Sequence, residues 1–256
     1  MGRGKGEYLG YRGGSDGAAM FFEQSGYDIC CEWGEQGVAV LAPISDVVIV
    51  VDVMSFSTCV DIAVSRGAIV YPYRWKDMSS LEFAKPIDAE VAGSRGKARY
   101  SLSPASLVDI PEGTRLVLPS PNGSTLTLAT GSTPTLTGCL RNCRAVAEAA
   151  MGYGPRIAVI PAGERWPDGT LRPAFEDWVG AGAIIGRLEG SRSPEAQAAV
   201  ASCHTADDLA RILRDCSSGK ELIAMGFGSD IDLISQVDVS AIVPVFRDDA
   251  YTILRE

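Results

Sequence analysis

Asp52 is the first polar residue after an unbroken apolar run, residues 47–51, and hydroxyl side chains follow at Ser55, Ser57 and Thr58. A carboxylate can bind a metal ion, and the hydroxyl and N–H groups at the start of a helix can bind an anion. The spacing therefore indicates a metal and a phosphate at one site. A strand that ends in an ordinary helix-capping aspartate would show the same pattern, so both interpretations stay open.

Three further turns carry polar side chains directly after apolar runs, at residues 120–125, 138–142 and 163–165. In the first of these turns, Asn122, Gly123 and Ser124 form the best candidate for a phosphate cradle, because glycine lets backbone N–H groups approach an oxyanion. Asn-Gly is also a common turn dipeptide, and a tight strand-to-helix turn is the alternative interpretation.

Glu176 and Asp177 are adjacent acids at the start of a predicted helix. Mg²⁺ in proteins is typically held by one or two carboxylates together with water and substrate phosphate, so this pair suits it. Successive helical residues point about 100° apart, so we expect only one of the two acids to face a given ion. Favourable charge placement in the first turn of a helix explains the pair equally well.

The arginine, histidine and cysteine residues limit which reactions the chain could catalyse. Arg141, Arg165 and Arg172 could each clamp phosphate or sulfonate oxygens, although each could equally be a surface residue. The single histidine, His204, lies in a sequence typical of a helix cap, which argues against a Ser-His-Asp triad or a histidine zinc site. Among the seven cysteines, which form no CxxC pair, only Cys139 beside a predicted strand end is a candidate nucleophile.

Composition limits the partners and the location of the protein. The 256 residues carry a net charge of −9, whereas a protein that tracks a nucleic-acid backbone needs a basic face. The apolar runs are far shorter than the ~20 residues that span a bilayer. The N-terminus lacks the apolar core of a signal peptide. We therefore expect a cytoplasmic protein with a small anionic substrate, and neither a nucleic acid nor a membrane as partner.

Apolar runs alternate with helix-like segments along the chain, which indicates an α/β fold. We expect layered α/β/α packing around a mostly parallel or mixed sheet, as one domain or as two closely packed subdomains. A flexible leader is predicted over residues 1–17 and a single domain over 18–256. Strands are predicted at 38–41, 47–51, 68–72, 114–119, 135–137, 156–163, 240–246 and 251–254, the last two as an antiparallel edge. Helices are predicted at 58–65, after the turn at 120–125 as far as 129, and at 143–150, 175–188, 193–202 and 207–213.

Taken together, these segments resemble the 2-phosphosulfolactate phosphatase family. The opening motif of that family, D-V-L-R-A-[ST]-T, corresponds to residues 52–58 of this chain. The other matching positions follow in unbroken order up to Pro244, which is more specific than any single motif. They are Ala89-Glu90, Ser103-Pro104, 120–124, 138–142, Ala162-Gly163, Glu176-Asp177, Ala181-Gly182, Asp230-Ile231 and Val243-Pro244.

The resemblance implies a Mg²⁺-dependent phosphatase that acts on a small phosphorylated 2-hydroxy acid, such as 2-phospho-3-sulfolactate in coenzyme M biosynthesis. On this hypothesis a water molecule attacks phosphorus, and charge neutralisation is the main catalytic effect. The expected metal ligands are Asp52 with Glu176 or Asp177. The expected catalytic residues are Asp52, Ser57 and Asn122. The expected substrate-binding residues are Thr58, Gly123, Ser124, Arg141, Asn142 and Arg165.

The chain departs from the family pattern at two positions. Ser55 replaces the arginine of the opening motif, and Leu102 replaces the asparagine before Ser-Pro. Loss of a guanidinium group can remove an anion contact worth ~1.5–3 kcal/mol, which bears on the sulfonated substrate in particular. A covalent route through Asp52 or Ser57 is an alternative to direct hydrolysis, but Met54 occupies the place of the second acid in the D-x-D-x-T signature of aspartyl-phosphate phosphatases.

Two other functions stay open at this point. A lyase or transferase could use the same anion site without hydrolysis, and a non-catalytic protein could bind the metabolite only. Metal-dependent phosphate release separates these alternatives from a phosphatase. Oligomeric state is equally open, because Trp33 and Trp75 suit a homodimer interface as well as a core.

Overall fold

The computed structural model describes residues 21–204 and 208–254, apart from the side chain of His204, so the predicted leader over 1–17 lies outside the described residues. The strands are β1 (Ile29–Cys31), β2 (Val47–Val51), β3 (Ile69–Tyr73), β4 (Glu90–Val91), β5 (Arg115–Pro119), β6 (Thr135–Thr137), β7 (Ile157–Pro161), β8 (Glu164–Arg165), β9 (Leu171–Arg172), β10 (Pro244–Arg247) and β11 (Ala250–Ile253). The helices are α1 (Gly34–Leu41), α2 (Phe56–Ser65), α3 (Ser79–Ala84), α4 (Gly123–Thr127), α5 (Cys143–Met151), α6 (Phe175–Ile185), α7 (Pro194–His204), α8 (Leu209–Asp215), α9 (Ser217–Ala224) and α10 (Gly228–Ile234).

Nine of these strands form one mixed sheet in the order β1-β7-β2-β6-β10-β11-β3-β5-β4, which confirms the predicted α/β fold. The strands β8 and β9 form a separate antiparallel pair. The valine-rich strand β2 is buried along its whole length because helices cover the sheet on both sides. Side chains of α5, α6 and α7 pack on one face of the β1-β7-β2-β6 group, and side chains of α1 and α4 pack on the other.

The sheet contains two parallel groups that run in opposite directions. The first is β1-β7-β2-β6 and the second is β3-β5-β4. Three antiparallel pairings separate them, β6–β10, β10–β11 and β11–β3. A flat sheet would therefore place the carboxyl ends of β2 and β5 at opposite edges. Twist of about 20–25° per neighbouring strand accumulates to about 100° or more between these two strands, which allows the ends to approach one another.

Two strand predictions are wrong. Residues 38–41 form the end of α1, whose buried residues Gly34, Gly37, Val38 and Leu41 follow helical rather than alternating spacing. The two C-terminal strands are not an edge, because β10 and β11 lie between β6 and β3 at the centre of the sheet. A two-residue turn joins them, and both of its aspartates have positive φ, as tight hairpins require.

Trp33 and Trp75, which the sequence leaves open between a homodimer interface and a core, lie in different surroundings in the structure. Trp33 stacks on Trp178 with ring centroids 5.1 Å apart, so it belongs to a contact within the chain. Trp75 is exposed. In the part of the chain that the structure describes, no helix has both the length and the apolar character needed to cross a bilayer.

Candidate active site

Asp52 lies directly after β2 and is buried, with 5% of its surface exposed. Its Oδ2 accepts a hydrogen bond from the backbone N–H of Gly123 over 2.8 Å, and its Oδ1 accepts one from the N–H of Phe56 over 3.2 Å. The Ser120 hydroxyl lies 3.5 Å from Oδ2. The carboxylate therefore joins the turn after β2 to the start of α4, and it forms part of the wall of a cavity of about 220 Å³.

Asp177, in the first turn of α6, holds two of the strand ends together. Its Oδ1 accepts the N–H of Val53 over 2.7 Å, and its Oδ2 accepts the N–H of Gly163 over 2.8 Å. The turns after β2 and β7 are thereby fixed relative to each other. Glu176, the other acid predicted at this helix start, is buried, and its Oε2 lies 3.6 Å from the thiol of Cys216.

Four carboxylates influence one another at this edge of the sheet: those of Asp52, Glu164, Glu176 and Asp177. Burial and then the Glu164 charge raise the pKa of Asp52 to about 6, although its two N–H donors act in the opposite direction. Burial and then the charges of Asp52 and Glu176 raise the pKa of Asp177 well above its ordinary range. A bound cation would relieve this repulsion.

Two basic side chains, Lys76 and Arg95, line the cavity beside Asp52. The Arg95 guanidinium is oriented by two acceptors: Nε donates to the carbonyl of Leu102 over 2.8 Å, and Nη2 donates to the Ser55 hydroxyl over 3.1 Å. Most of the Lys76 residue is exposed, but its ammonium group is partly removed from water. This desolvation and then the charge of Arg95 lower the pKa of the ammonium group. The cavity therefore has an acidic wall and a basic wall.

The segment that orients Arg95 is itself anchored by Asp230 of α10. Asp230 Oδ1 accepts the Ser103 hydroxyl over 2.8 Å and the Ala105 N–H over 3.2 Å. These contacts fix the chain next to the Leu102 carbonyl. Asp230 is one of the positions that match the family pattern, and the structure gives its buried carboxylate this anchoring position.

Of the three residues of the predicted cradle, Asn122, Gly123 and Ser124, the structure places only Asn122 on the cavity wall. Asn122 lines the cavity, and Gly123 contributes the N–H that binds Asp52. A Cβ atom on Gly123 would lie 2.3 Å from Cδ1 of Phe56, so glycine is required by close packing here. The hydroxyl of Ser124 is buried and donates to the Leu118 carbonyl over 3.0 Å, which ties α4 to β5 instead of facing a ligand.

Ser57 and Thr58 have structural positions rather than the catalytic and substrate-binding positions expected from the sequence. Both are fully buried. The Ser57 hydroxyl accepts the Asp52 N–H over 2.8 Å and lies 2.7 Å from the Thr137 hydroxyl. The Thr58 hydroxyl donates to the Val53 carbonyl over 2.9 Å. These bonds fix the turn that presents Asp52.

Arg141 and Asn142 also differ from the expectation that they bind substrate. Arg141 forms an ion pair with the fully buried carboxylate of Asp61 over 2.9 Å and donates to the Leu233 carbonyl. Asn142 is buried, its Oδ1 accepts the Cys139 N–H, and its Nδ2 donates to the Ile242 carbonyl. Polar groups buried within a fold need such partners, and these bonds hold both side chains against neighbouring segments of the chain.

The other candidate residues lie outside the Asp52 cavity wall. Arg165 pairs with Glu35 on the surface, and Arg172 donates to the Ser218 hydroxyl over 3.2 Å. Burial raises the pKa of the Cys139 thiol far above its ordinary range, so it is not a nucleophile near neutral pH. The side chain of His204 lies outside the described residues.

Four charged residues of the cavity wall escaped the candidate set taken from the sequence: Lys76, Arg95, Glu164 and Glu221. Glu164 lies in a polar turn that the sequence marks at the end of β7, so its position could have identified it. Lys76 and Arg95 belong to the irregular segment between β3 and β5, where no periodicity or turn motif marks a basic residue as functional.

The cavity suits a magnesium ion held by few protein atoms. Within residues 21–204 and 208–254, no three Asp, Glu, Cys or His side chains form a ready-made metal site. Mg²⁺ commonly uses one or two carboxylates with water and substrate phosphate, and Asp52, Glu164 and Glu221 lie on the cavity wall. Glu176 and Asp177 are not part of that wall, so the expected ligand pair fits less well than Asp52 with Glu164.

Comparison with known proteins gives one consistent family. The family profile described as 2-phosphosulpholactate phosphatase matches residues 39–249. The chain is 28% identical over 221 residues to a 2-phosphosulfolactate phosphatase of Methanothermobacter thermautotrophicus, a match that covers 83% of this chain and 92% of that protein. It is 29% identical over 220 residues to a probable 2-phosphosulfolactate phosphatase of Thermosynechococcus vestitus, covering 78% and 88%.

The matched region contains every residue of the Asp52 cavity wall and all four interacting carboxylates. The similarity therefore extends over the site as well as the core of the sheet. On the length of this match, the chain belongs to the 2-phosphosulpholactate phosphatase family.

Proposed function

We propose that this chain is a phosphoric monoester hydrolase that releases phosphate from a small phosphorylated 2-hydroxy acid, the class that includes 2-phosphosulfolactate. The observation that carries the proposal is the placement of the buried Asp52 carboxylate in one cavity with Lys76 and Arg95. An acidic wall suits a divalent cation, and a basic wall suits a phosphoryl group. Membership of the family supports the same activity.

The basic wall binds the phosphoryl group in this proposal. Arg95 offers a guanidinium group oriented by Leu102 and Ser55, and Lys76 offers a second positive charge. Ser120 and Asn122 add polar side chains to the same wall. Because phosphoryl transfer passes through a loose transition state, positioning and charge neutralisation supply most of the catalysis.

Mg²⁺ is the proposed cofactor, with Asp52 and Glu164 as the residues that would hold it. When bound, it would neutralise charge on the phosphoryl oxygens. The support is the acidic cluster, in which burial and then the charge of Glu164 raise the pKa of Asp52, together with the hard oxygen donors on the wall.

Hydrolysis forms a bond from the water oxygen to phosphorus and breaks the bond from phosphorus to the alcohol oxygen. The attacking water loses one proton to solvent, and the alcohol oxygen gains one. Lys76, whose pKa is lowered, is the proton donor that we assign to this step. Direct attack by water is preferred over a covalent route through Ser57, because the Ser57 hydroxyl is buried and already bonded to Asp52 and Thr137.

The compartment that we propose is the cytoplasm. All seven cysteines are free thiols, and none of them forms a disulfide bond. Five of the seven are buried, so they act as small apolar residues of the core. This pattern suits a reducing compartment.

The proposal is tested by phosphate release from 2-phosphosulfolactate and 2-phospholactate, with Mg²⁺ or with EDTA, in oxygen-labelled water. We expect Mg²⁺-dependent release in which one labelled oxygen enters each phosphate. Release of unlabelled phosphate would indicate a lyase that breaks the carbon–oxygen bond. Saturable binding without release would indicate a non-catalytic binder. Either of these results would contradict the proposal.

A further inference from the structure

We propose that the substrate of this chain carries an apolar group where 2-phosphosulfolactate carries its sulfonate, and that this group binds in a second cavity next to the one that contains Asp52. The inference rests on the proposed phosphatase function and names the substrate class within it.

The second cavity adjoins the first. Its volume is about 610 Å³, against about 220 Å³ for the cavity that contains Asp52. The two share four residues of their walls, namely Lys76, Arg95, Leu102 and Met225. A phosphoryl group held by Lys76 and Arg95 therefore lies at the junction, and the rest of the substrate can extend into the larger space.

The far wall of the larger cavity is mainly apolar. Leu81 of α3, Val91 of β4, Pro119 of β5 and Phe227 contribute to it, together with Ala92. Its polar groups beyond the shared wall are Asp77, Ser80 and Ser94, and among the residues that line it only Lys76 and Arg95 are basic. A sulfonate placed there would meet the Asp77 carboxylate without a further cation, whereas an apolar group would be removed from water.

Two residues next to Arg95, Ser55 and Leu102, lie on this part of the site. Ser55 lines the smaller cavity and accepts a hydrogen bond from Arg95, and Leu102 lines both cavities. Neither side chain carries a positive charge, and Leu102 is apolar. Neither therefore supplies a cation for a second anion, and Leu102 adds apolar surface beside the phosphoryl site.

Together, the two adjoining cavities are large enough for a substrate that is longer than a three-carbon acid. Sites of roughly 300–1,000 Å³ commonly enclose ligands with an extended carbon skeleton. Burial of each added methylene improves binding by about fourfold, because each is worth about 0.8 kcal/mol. Discrimination by chain length is therefore a sensitive measure of whether the substrate uses the larger cavity.

The test compares kcat/KM for 2-phospholactate, 2-phosphooxyhexanoate and 2-phospho-3-sulfolactate at one Mg²⁺ concentration. We expect the hexanoate ester to exceed each of the other two by about tenfold or more, given about fourfold for each buried methylene. Values that are equal, or that favour the sulfonated ester, would overturn this inference and leave the phosphatase function intact. Phosphate release from none of the three would overturn the phosphatase function and this inference with it.

A variant pair identifies the cavity responsible. Leu81 lies on its wall and is 43% exposed, so Leu81→Trp fills the space from a position that tolerates a larger side chain. Met78 directly precedes the same helix, is 73% exposed and is not on that wall, so Met78→Trp is the matched control. We expect Leu81→Trp to lower the hexanoate-to-lactate ratio of kcat/KM at least fivefold and Met78→Trp to retain it. An unchanged ratio in Leu81→Trp would overturn the assignment.

Discussion

The Asp52 carboxylate accepts the backbone N–H of Gly123 over 2.8 Å, which joins the ends of two strands that run in opposite directions in the same sheet. One hydrogen bond thus links the acid after β2 to the first residue of α4, which follows β5. The curled sheet brings an acidic residue from one parallel group to a turn from the other. The position of the Asp52 carboxylate and the packing of α4 consequently depend on the same few atoms at this junction.

Gly123→Ala should disrupt this junction. The added Cβ would lie 2.3 Å from Cδ1 of Phe56, so α4 and α2 must move apart. We expect a loss of about 1–3 kcal/mol in the free energy of unfolding, as overpacking of a core typically gives, and a fall in kcat/KM of at least tenfold. Urea denaturation and phosphate release measure the two effects.

Gly228→Ala is the matched control for Gly123→Ala. A Cβ atom at Gly228 would lie 3.4 Å from the nearest side-chain atom, which is an ordinary contact. Gly228→Ala should therefore change neither the free energy of unfolding nor kcat/KM substantially. Equal stability and activity in Gly123→Ala and Gly228→Ala would contradict the packing explanation.

Asp52→Asn should stabilise the metal-free protein while it removes activity. The pKa of Asp52 rises from 3.8 to about 6 on folding, so its ionised form opposes folding. Ionisation of Asp52 lowers the free energy of unfolding. This loss is absent below pH 4, grows as the pH rises towards 6, and reaches about 3 kcal/mol above pH 6. Loss of one N–H acceptor offsets about 1 kcal/mol of the gain.

Thermal unfolding with EDTA at pH 4 and pH 8 measures this effect. We expect the melting temperature of Asp52→Asn to exceed that of the unsubstituted protein at pH 8 and the difference to shrink at pH 4. Added Mg²⁺ should raise the melting temperature of the unsubstituted protein more than that of the variant, because a ligand stabilises the state that binds it. Equal Mg²⁺ effects on the two proteins would remove Asp52 from the cation site.

Arg95→Lys should impair phosphate binding although the charge is kept. The guanidinium makes two oriented bonds, to Leu102 and Ser55, which an ammonium group cannot reproduce. We expect kcat/KM to fall by about 10- to 100-fold, with the fall mainly in KM, as for a charged hydrogen bond worth about 1.5–3 kcal/mol. Arg99→Lys is the control, because Arg99 is exposed and pairs with Glu90 over 3.7 Å. Equal kinetics in the two variants would exclude Arg95 from the site.

Arg141→Ala should act on stability rather than on substrate binding. It leaves the fully buried Asp61 carboxylate without its ionic partner, which typically costs about 3–5 kcal/mol. We expect a lower free energy of unfolding in urea and an unchanged KM for the folded fraction. A raised KM without loss of stability would instead support the substrate-binding position expected from the sequence.

The sequence identifies the parts of the site that local patterns determine. An apolar run that ends at Asp52 specifies a buried strand and an acid at its end, and Asn122-Gly123 specifies a tight turn before a helix. Both features are short-range, so neither depends on how the sheet curls. The predicted α/β fold follows from the same alternation of strands and helices.

The parts that the sequence does not identify are set by tertiary contacts. Lys76 and Arg95 reach the cavity from an irregular segment, and Asp230, far along the chain, anchors the residues next to the Leu102 carbonyl that orients Arg95. Ser57, Arg141 and Asn142 follow strand ends, as functional residues often do, but they satisfy buried polar groups instead. A polar residue at a strand end looks the same in sequence whether it faces a ligand or the interior.

Phosphate release by Asp52→Asn, compared with the unsubstituted protein and with Asp232→Asn, tests the central claim most directly. Asp232 is an exposed carboxylate of α10 that pairs with Arg214, so its variant controls for loss of one negative charge. With 2-phosphosulfolactate or 2-phosphooxyhexanoate and saturating Mg²⁺, we predict that Asp52→Asn loses at least 100-fold in kcat while Asp232→Asn keeps its rate. Full activity in a folded Asp52→Asn protein would contradict the assignment of the active site to this cavity.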